Sequence, residues 1–447
     1  MNAIGGLLLL ITLYAVWFGS RRWAVIGMLG GAMYITQGQG LNIAGFNMYA
    51  HRFLEMAAFA RVASRGEFSV RQLTKLDRIL IIFYCYLTIV FLIRSNQSQI
   101  FQIGVLVDAF LTYFAFRGLL GNFEDIKWIL KTFPLLLAPY AALTLLESFA
   151  RINVFVYQGG IDYSWWMRGN RPRCTGSFRH ASLMGTLGAC FIPLYIGLAF
   201  SKKYRPVSLL AIFSGLCIVW ASNSGGPANC AATAIGGWML WKMRKHMRLF
   251  RWSLVFIIIA LAMVMQAPIW YLMAKASSVS GGDGWHRSYL LDVAYQHLDL
   301  WWLAGMNLHD TWNWFPYGIE ATGGADITNQ FLSYGITSGL GAMALFIGVL
   351  VAAFSALGKA LIVTRQKKGK DSEMEPILWG SGVVLTLHII NWIGITYFDQ
   401  TYIIWFMQLA IIANLTHEVL TPKPIAHHEE SSENPNFQLK AVADGRP

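Results

Sequence analysis

The sequence predicts an all-α polytopic membrane protein, with about 12–13 transmembrane helices and two large outward loops. Three observations carry that expectation. Of 447 residues, 55% are hydrophobic and 13% charged, against roughly 25% charged in an average soluble domain. Apolar runs of roughly 20 residues, each long enough to cross a bilayer, recur along almost the whole chain. The formal charge of +12 gathers mainly in short loops between those runs, as the positive-inside rule expects. An ordinary cytosolic enzyme is excluded, and the basic surplus needs no nucleic acid to explain it.

Taken in order, spans are expected at about 4–18, 23–38, 44–62, 79–94, 101–118, 132–149, 181–200, 206–221, 228–241, 252–271, 330–357, 377–396 and 400–416. No charged segment precedes the first, which reads as a retained span rather than a signal peptide. The third carries His51, Arg52, Glu55 and Arg61 and reads equally as a tilted or interfacial helix. Basic clusters at Arg21-Arg22, Arg65/Arg71/Lys75/Arg78, Lys127/Lys131, Lys202-Lys203/Arg205, Lys242/Arg244/Lys245/Arg248 and Arg365/Lys367/Lys368/Lys370 all fall on one side, the cytoplasm. The chain then divides into N-terminal helices (1–149), a first outward loop (150–180), central helices (181–271), a large outward loop (272–329), C-terminal helices (330–416) and a polar tail (417–447) that reads as disordered and cytoplasmic. In that tail His427-His428-Glu429-Glu430 reads as solvated rather than metal-binding.

The two outward loops are where chemistry is expected. The first holds Arg168, Arg171, Arg173 and Arg179, with His180 at the mouth of the next span. That is an excess of positive charge on the side where the rule disfavours it. Singly these arginines suit lipid headgroups; together they suggest an anionic ligand at the membrane boundary. In the second loop Arg287 follows a Gly-rich turn, Gly281-Gly282-Asp283-Gly284, and opens an amphipathic stretch. A guanidinium there can grip a phosphate by paired hydrogen bonds, which Lys does not reproduce. Trp301, Trp302, Trp312, Trp314, Phe315 and Tyr317 can stack on sugar rings or form an interfacial belt. Asp326, in Asp326-Ile327-Thr328-Asn329, reads either as the N-cap of the next helix or as a general base beside a substrate hydroxyl. Gly335 and Gly339, four apart, permit close packing.

Within the spans Asp108 and His388 stand out, because ionisable groups there face a partner or a cavity; internal hydrogen bonding and a proton relay both fit. Neither outward loop holds a tight cluster of Asp, Glu, His or Cys with metal-ligand spacing. The five cysteines form no Cys-x-x-Cys pair, so neither a disulfide framework nor a zinc site is expected.

The order of features resembles the O-antigen ligase and O-antigen polymerase family of bacterial inner-membrane proteins. An outward Gly-x-Phe-x-His-like element (Thr175-Gly176-Ser177-Phe178-Arg179-His180) is followed by Arg287. Then come Leu303-Ala304-Gly305, Asn329-Gln330-Phe331-Leu332, Tyr334-Gly335 and Gly339-Leu340-Gly341. The motifs run from about residue 170 to 350; elsewhere the likeness is one of span pattern. The resemblance implies a membrane-embedded, GT-C-like glycosyltransferase in the inner (cytoplasmic) membrane with its active site toward the periplasm. It implies transfer of a glycan from undecaprenyl pyrophosphate to a sugar hydroxyl, on lipid A core or on a growing polysaccharide, with no cofactor, metal or nucleotide sugar. Arg287, with Arg179 or Arg173, would hold the pyrophosphate, and Asn329 and Trp312 would line the substrate site. The family's ligases carry His directly before the Asn of the closing motif, where this chain has Thr328. The base is therefore expected to be Asp326, His309 or His180. The competing readings are a secondary transporter or lipid flippase using Asp108 and His388, and an inactive assembly partner. The transporter reading predicts paired repeats, and none is visible.

Overall fold

A computed structural model describes residues 1–43, 46–95, 98–161, 166–275, 284–314, 323–366 and 373–421. The 281–283 turn, Phe315, Tyr317, Lys367, Lys368, Lys370 and the tail from 422 lie outside them.

The chain is a helical bundle. Two helices, α1 (Ala3–Phe18) and α2 (Arg21–Tyr34), lead into a two-stranded hairpin, β1 (Gly40–Ile43) and β2 (Phe46–Tyr49), and then α3 (Ala50–Ser64). There follow α4 (Lys75–Arg94), α5 (Gln99–Leu119), α6 (Phe123–Thr132), α7 (Pro134–Ala150) and a short hairpin of β3 (Met167–Arg168) and β4 (Arg171–Pro172). The central group is α8 (Ala181–Cys190), α9 (Ile192–Leu198), α10 (Arg205–Ser222), α11 (Gly225–Met239) and α12 (Met247–Val264). Two loop helices, α13 (Gly284–Gln296) and α14 (Leu298–Trp301), precede α15 (Gln330–Gln366), α16 (Met374–Trp392) and α17 (Thr401–Leu420).

Among the described residues eight helical stretches are long and apolar enough to cross a membrane: 75–94, 99–119, 123–150, 181–198, 205–222, 225–264, 330–366 and 401–420, with Ala3–Phe18 a shorter apolar helix. The chain is a multi-pass membrane protein. Several of the thirteen expected spans are shorter helices, among them α2 with 14 residues and α3 with 15. Residues 46–49 of the expected third span are strand instead. From Leu254 to Val264 the side chains of α12, exposed Phe256, Met263 and Val264 among them, are all apolar. That is the surface a lipid-facing helix requires.

The core follows α17, whose residues from Thr401 to Thr416 are nearly all buried, and α8–α9, 94% buried over its apolar window. Charges inside are paired, as low dielectric demands. Arg117 and Tyr113 both donate to buried Asp77. Arg52 donates to both carboxylate oxygens of Asp108 at 2.9 Å, and Tyr402 donates to Glu55. Arg61 donates to Val16 O at 2.6 Å and Gly19 O at 2.7 Å, satisfying carbonyls that the end of α1 leaves open. The third expected span thus carries its charges inward to named partners. His388 is also structural: Nδ1 meets the Tyr397 hydroxyl and Nε2 meets Gln408 Oε1, each at 2.6 Å.

The two ends of α17 define the two ends of the bundle. Near its C-terminus Glu418 accepts from Phe123 N. There the basic clusters meet acids: Arg21 and Arg22 with Asp125, Lys127 with Glu373, Arg244 and Arg365 with Glu375. The other end gathers the 166–180 loop, α13, the 323–329 segment and the turn between α16 and α17.

Candidate functional site

The site is built on one rigid turn. Glu147, buried on α7, accepts from Thr175 N and Gly176 N, both at 2.9 Å. Gly176 sits at φ +57°, and a Cβ there would lie 2.4 Å from the Tyr140 hydroxyl, so only glycine passes. Ser177 donates from Oγ to Met33 O and from N to Tyr140, and Gln400 donates to Ser177 O at 3.0 Å. Phe178 is fully buried. Anchored on both sides, the turn fixes Arg173, Arg179 and His180.

His180 caps α8: its Nδ1 accepts from Ser182 N at 3.2 Å. Burial, then the guanidiniums of Arg173 and Arg287, push its pKa down to about 4. The ring is therefore neutral near pH 7, and because Nδ1 accepts, the proton resides on Nε2. That tautomer offers a donor rather than a base. Arg173 has a pKa lowered by burial and by the neighbouring Arg168 and Arg287. Its Nη2 donates to Ser182 Oγ at 3.4 Å, while its Nε is buried with no hydrogen-bond partner. Arg287, on α13, lays its guanidinium against the backbone of Gly394. Three residues from two distant loops thus share one electropositive place at the N-terminus of α8, the positive end of that helix's dipole.

Arg179 is placed differently. It clasps Asp399 through Nε, which donates at 2.6 Å, and Nη2, and its side chain is 56% exposed. Of the two arginines expected as alternatives, Arg173 faces Arg287 and His180, and Arg179 ties the turn to the α16–α17 connection.

That connection is a feature the sequence did not reveal. Gly394 touches Arg287, Thr396 donates from Oγ1 to Ile327 O, Tyr397 N donates to Gln330 Oε1 at 2.7 Å, and Phe398 packs near His180. Asn329 Nδ2 donates to Ile393 O at 3.3 Å. The turn joins the arginine cluster to the start of α15.

Asn329, not Asp326, caps α15: its Oδ1 accepts from Leu332 N at 3.0 Å. That corrects the bland reading of Asp326, which stands exposed and lines a cavity of about 310 Å³. Asn329 is itself buried, with its side chain engaged by Leu332 N and Ile393 O. Thr328 Oγ1 is buried with no hydrogen-bond partner. His309 is exposed, with its ring beside Gly323, and Trp312 is 57% exposed. Trp301 and Trp314 are core of the loop unit: Trp301 Nε1 donates to Ala294 O at 2.8 Å, and Trp314 stacks on His297. They are closed to a sugar face.

The Leu303-Ala304-Gly305 step and the Gly-Leu-Gly motif meet each other. α15 is broken at Ser338 and Gly339. Leu340 N donates to Trp302 O and Met306 N to Ile336 O, both at 2.8 Å. Gly305 and Gly339 have φ of +78° and +81°, and a Cβ on either would come within 2.3 Å of the other segment's backbone. Gly335 abuts the Trp301 ring. Among the described residues no group of three or more His, Cys, Asp or Glu is placed to hold a metal ion. No protein-family model matches the chain, and no curated protein matches it.

Proposed function

We propose that this chain is a metal-independent glycosyltransferase that moves a glycan from undecaprenyl pyrophosphate to a sugar hydroxyl, on lipid A core or a growing polysaccharide. In this reading it is of the O-antigen ligase or polymerase type with a GT-C-like architecture, in the bacterial inner membrane with the site toward the periplasm. The observation that carries the reading is the convergence of Arg173, Arg287 and neutral His180 at the N-terminus of α8. A partly buried cluster of like charge suits a ligand that brings concentrated negative charge.

In the proposed step the acceptor oxygen attacks the anomeric carbon, and the bond from that carbon to the pyrophosphate oxygen breaks, its electron pair leaving on the pyrophosphate. Arg173 and Arg287 stabilise that growing charge, and His180 donates from Nε2. The acceptor proton passes to the Asp326 carboxylate. Attack opposite the leaving group inverts the anomeric centre.

The transporter or flippase alternative rests on Asp108 and His388, and both have engaged partners inside the bundle. The test is transfer from a purified lipid-linked glycan. Arg287→Lys is expected to be nearly as damaging as Arg287→Ala, because a point charge does not replace a bidentate fork. Wild-type turnover by Arg287→Ala would remove the residue from the site. In a deletion strain, core bearing one repeat unit indicates a polymerase and bare core a ligase; a normal polysaccharide ladder refutes both.

A further inference from the structure

The opposite, basic end of the bundle holds a second concentration of charge that the transfer reading does not use. From Leu240 to Arg251 the chain carries Lys242, Arg244, Lys245, Arg248 and Arg251 and no acid. A short 3-10 turn, Leu240–His246, joins α11 to α12 there. Tryptophans fix it to the bundle: Trp241 lies 5.4 Å from the Trp238 ring and edge-on to Trp379 at 5.8 Å. Trp238 and Trp379 are buried, and their indole N–H groups donate to Pro193 O at 3.0 Å and Gly237 O at 3.1 Å.

On this frame two arginines share one oxygen. Arg244 Nε and Arg365 Nε both donate to Glu375 Oε1, at 3.1 Å and 2.6 Å, so one carboxylate faces two guanidiniums and a positive charge is left over. Arg244 lies over the Trp241 ring at 4.2 Å, and Arg365 Nη1 reaches Arg244 O at 3.5 Å, which sets Arg365 beside the 240–246 turn. Arg365 Nη2 is buried with no hydrogen-bond partner among the described residues. Such a group carries a desolvation cost that an anionic oxygen would offset. Lys245 and Arg248 stand exposed on the same stretch. A positive-inside bias accounts for exposed lysines, but not for a half-buried arginine pair sharing one acid. Beyond the turn, no residue of α12 is buried, and the helix packs chiefly on the short turns at its two ends, 240–246 and 269–271. Its apolar 254–264 stretch rises about 16 Å, close to the roughly 15 Å depth of one leaflet's hydrocarbon.

We propose that the base of α12 binds one anionic phospholipid of the cytoplasmic leaflet, its phosphate held by Arg365 and Arg244, its charge matched by Lys245 and Arg248, and an acyl chain lying along α12. Charge complementarity selects this occupant. A zwitterionic headgroup offers a phosphate but brings its own cation to a turn without an acid, and a second copy of the chain at the same face would oppose one basic turn with another. The inference is independent of the transfer reading.

The experiment is native mass spectrometry of the full-length protein in detergent, titrated with phosphatidylglycerol or with phosphatidylcholine of the same acyl chains. Wild type is expected to retain phosphatidylglycerol about tenfold or more over phosphatidylcholine. Lys245→Gln combined with Arg248→Gln, both at exposed positions, is expected to keep the melting temperature and to weaken phosphatidylglycerol binding about thirtyfold, about fivefold per charge. Phosphatidylcholine binding should not change. Arg365→Gln leaves Arg244 to pair with Glu375 and is expected to weaken phosphatidylglycerol binding about fivefold or more; if that variant does not fold, the exposed pair still decides. Phosphatidylglycerol with a photoreactive acyl chain should label α12 in wild type and lose that labelling in the double variant. Equal retention of the two lipids, unchanged affinity in the folded double variant, or labelling confined to other helices overturns the proposal. Cross-links between copies through α12 that displace the lipid assign the face to a second copy and overturn it as well.

Discussion

Gly394→Ala offers a clean perturbation of the arginine cluster, because it moves Arg287 without touching its charge. Gly394 is not among the glycines with positive φ, so alanine costs no backbone strain there. Its new methyl would lie 2.7 Å from Arg287 Nη1, 2.8 Å from Cζ and 3.1 Å from Nε. An ordinary contact is about 3.5–4.0 Å, so the guanidinium has to retreat by about 1 Å. The obstacle is the far end of a flexible side chain, and the fold is expected to survive with an unchanged melting temperature. Misplacing a binding group by about 1 Å costs on the order of a hundredfold, equivalent to about 2.7 kcal/mol of transition-state stabilisation. The assay is kcat/KM for transfer from purified lipid-linked glycan, run with Gly394→Ala, Arg287→Ala and the double variant. If both changes act through Arg287, the double variant is no worse than Arg287→Ala alone. Full activity in folded Gly394→Ala, or losses that multiply in the double variant, would refute the placement of Arg287 in the site.

Three further outcomes are expected. Asp326→Asn should keep the melting temperature, since Asn329 supplies the helix cap, and should lower turnover about a hundredfold or more if Asp326 takes the acceptor proton. Near-normal turnover with His309→Ala inactive moves the base to the loop, and Thr328→His is the companion change that tests rescue. His180 has its folded pKa pushed down to about 4, below the roughly 6.5 of an unfolded histidine. The unfolded chain therefore binds more protons between those values, so its contribution to stability is full above about pH 6.5 and is lost as pH falls toward 4. The imidazole resonances of His180 should show no titration near pH 6.5; a midpoint there contradicts the burial beside two guanidiniums. Transfer should persist in excess chelator, because fixed guanidiniums supply the charge that a divalent ion otherwise would; loss restored by magnesium or manganese would show the opposite.

The membrane character and most helices were legible because long apolar runs leave few alternatives. The short early helices were less so. α2 and α3 are below spanning length, and what holds α3 is pairing with residues far along the chain: Arg52 with Asp108, Arg61 with carbonyls of α1. No local pattern announces such partners. The arginines of the first outward loop were visible as a group, but which of them serves the site depends on Asp399, 220 residues away. Asp326 looked like a cap because Asp commonly is one, yet Asn329, three residues on, is adjacent to Gln330 where the helix starts. The 393–399 turn was hidden because Ile393-Gly394-Ile395-Thr396-Tyr397-Phe398 reads as the edge of an apolar span, and its role arises only from what it touches. The motif glycines were visible in kind; that Gly305 and Gly339 face each other is a fact of tertiary structure.

Electrostatics gives the strongest reason to look for an anion at this end of the bundle. Elsewhere most described basic residues near the core have acidic partners: Arg52 with Asp108, Arg61 with Glu67, Arg117 with Asp77, Lys127 with Glu373, Arg244 and Arg365 with Glu375; Arg94, whose Nε is also unbonded, is held by Asn307 and Thr337 O and feels the charge of Asp310. Even Arg179, in the site's own loop, is matched to Asp399. Arg173 is the contrast, half-buried with an unbonded Nε, its charge opposed by Arg168 and Arg287. Like charges gathered where water is partly excluded raise the energy of the empty site, and a bound anion relieves that repulsion while gaining attraction of its own. Under the proposed reading, a pyrophosphate leaving group would bring more negative charge to that point as its bond breaks. In the proposed transfer, the same arrangement that makes the empty site costly would favour the transition state of pyrophosphate release, which is the differential binding that catalysis requires.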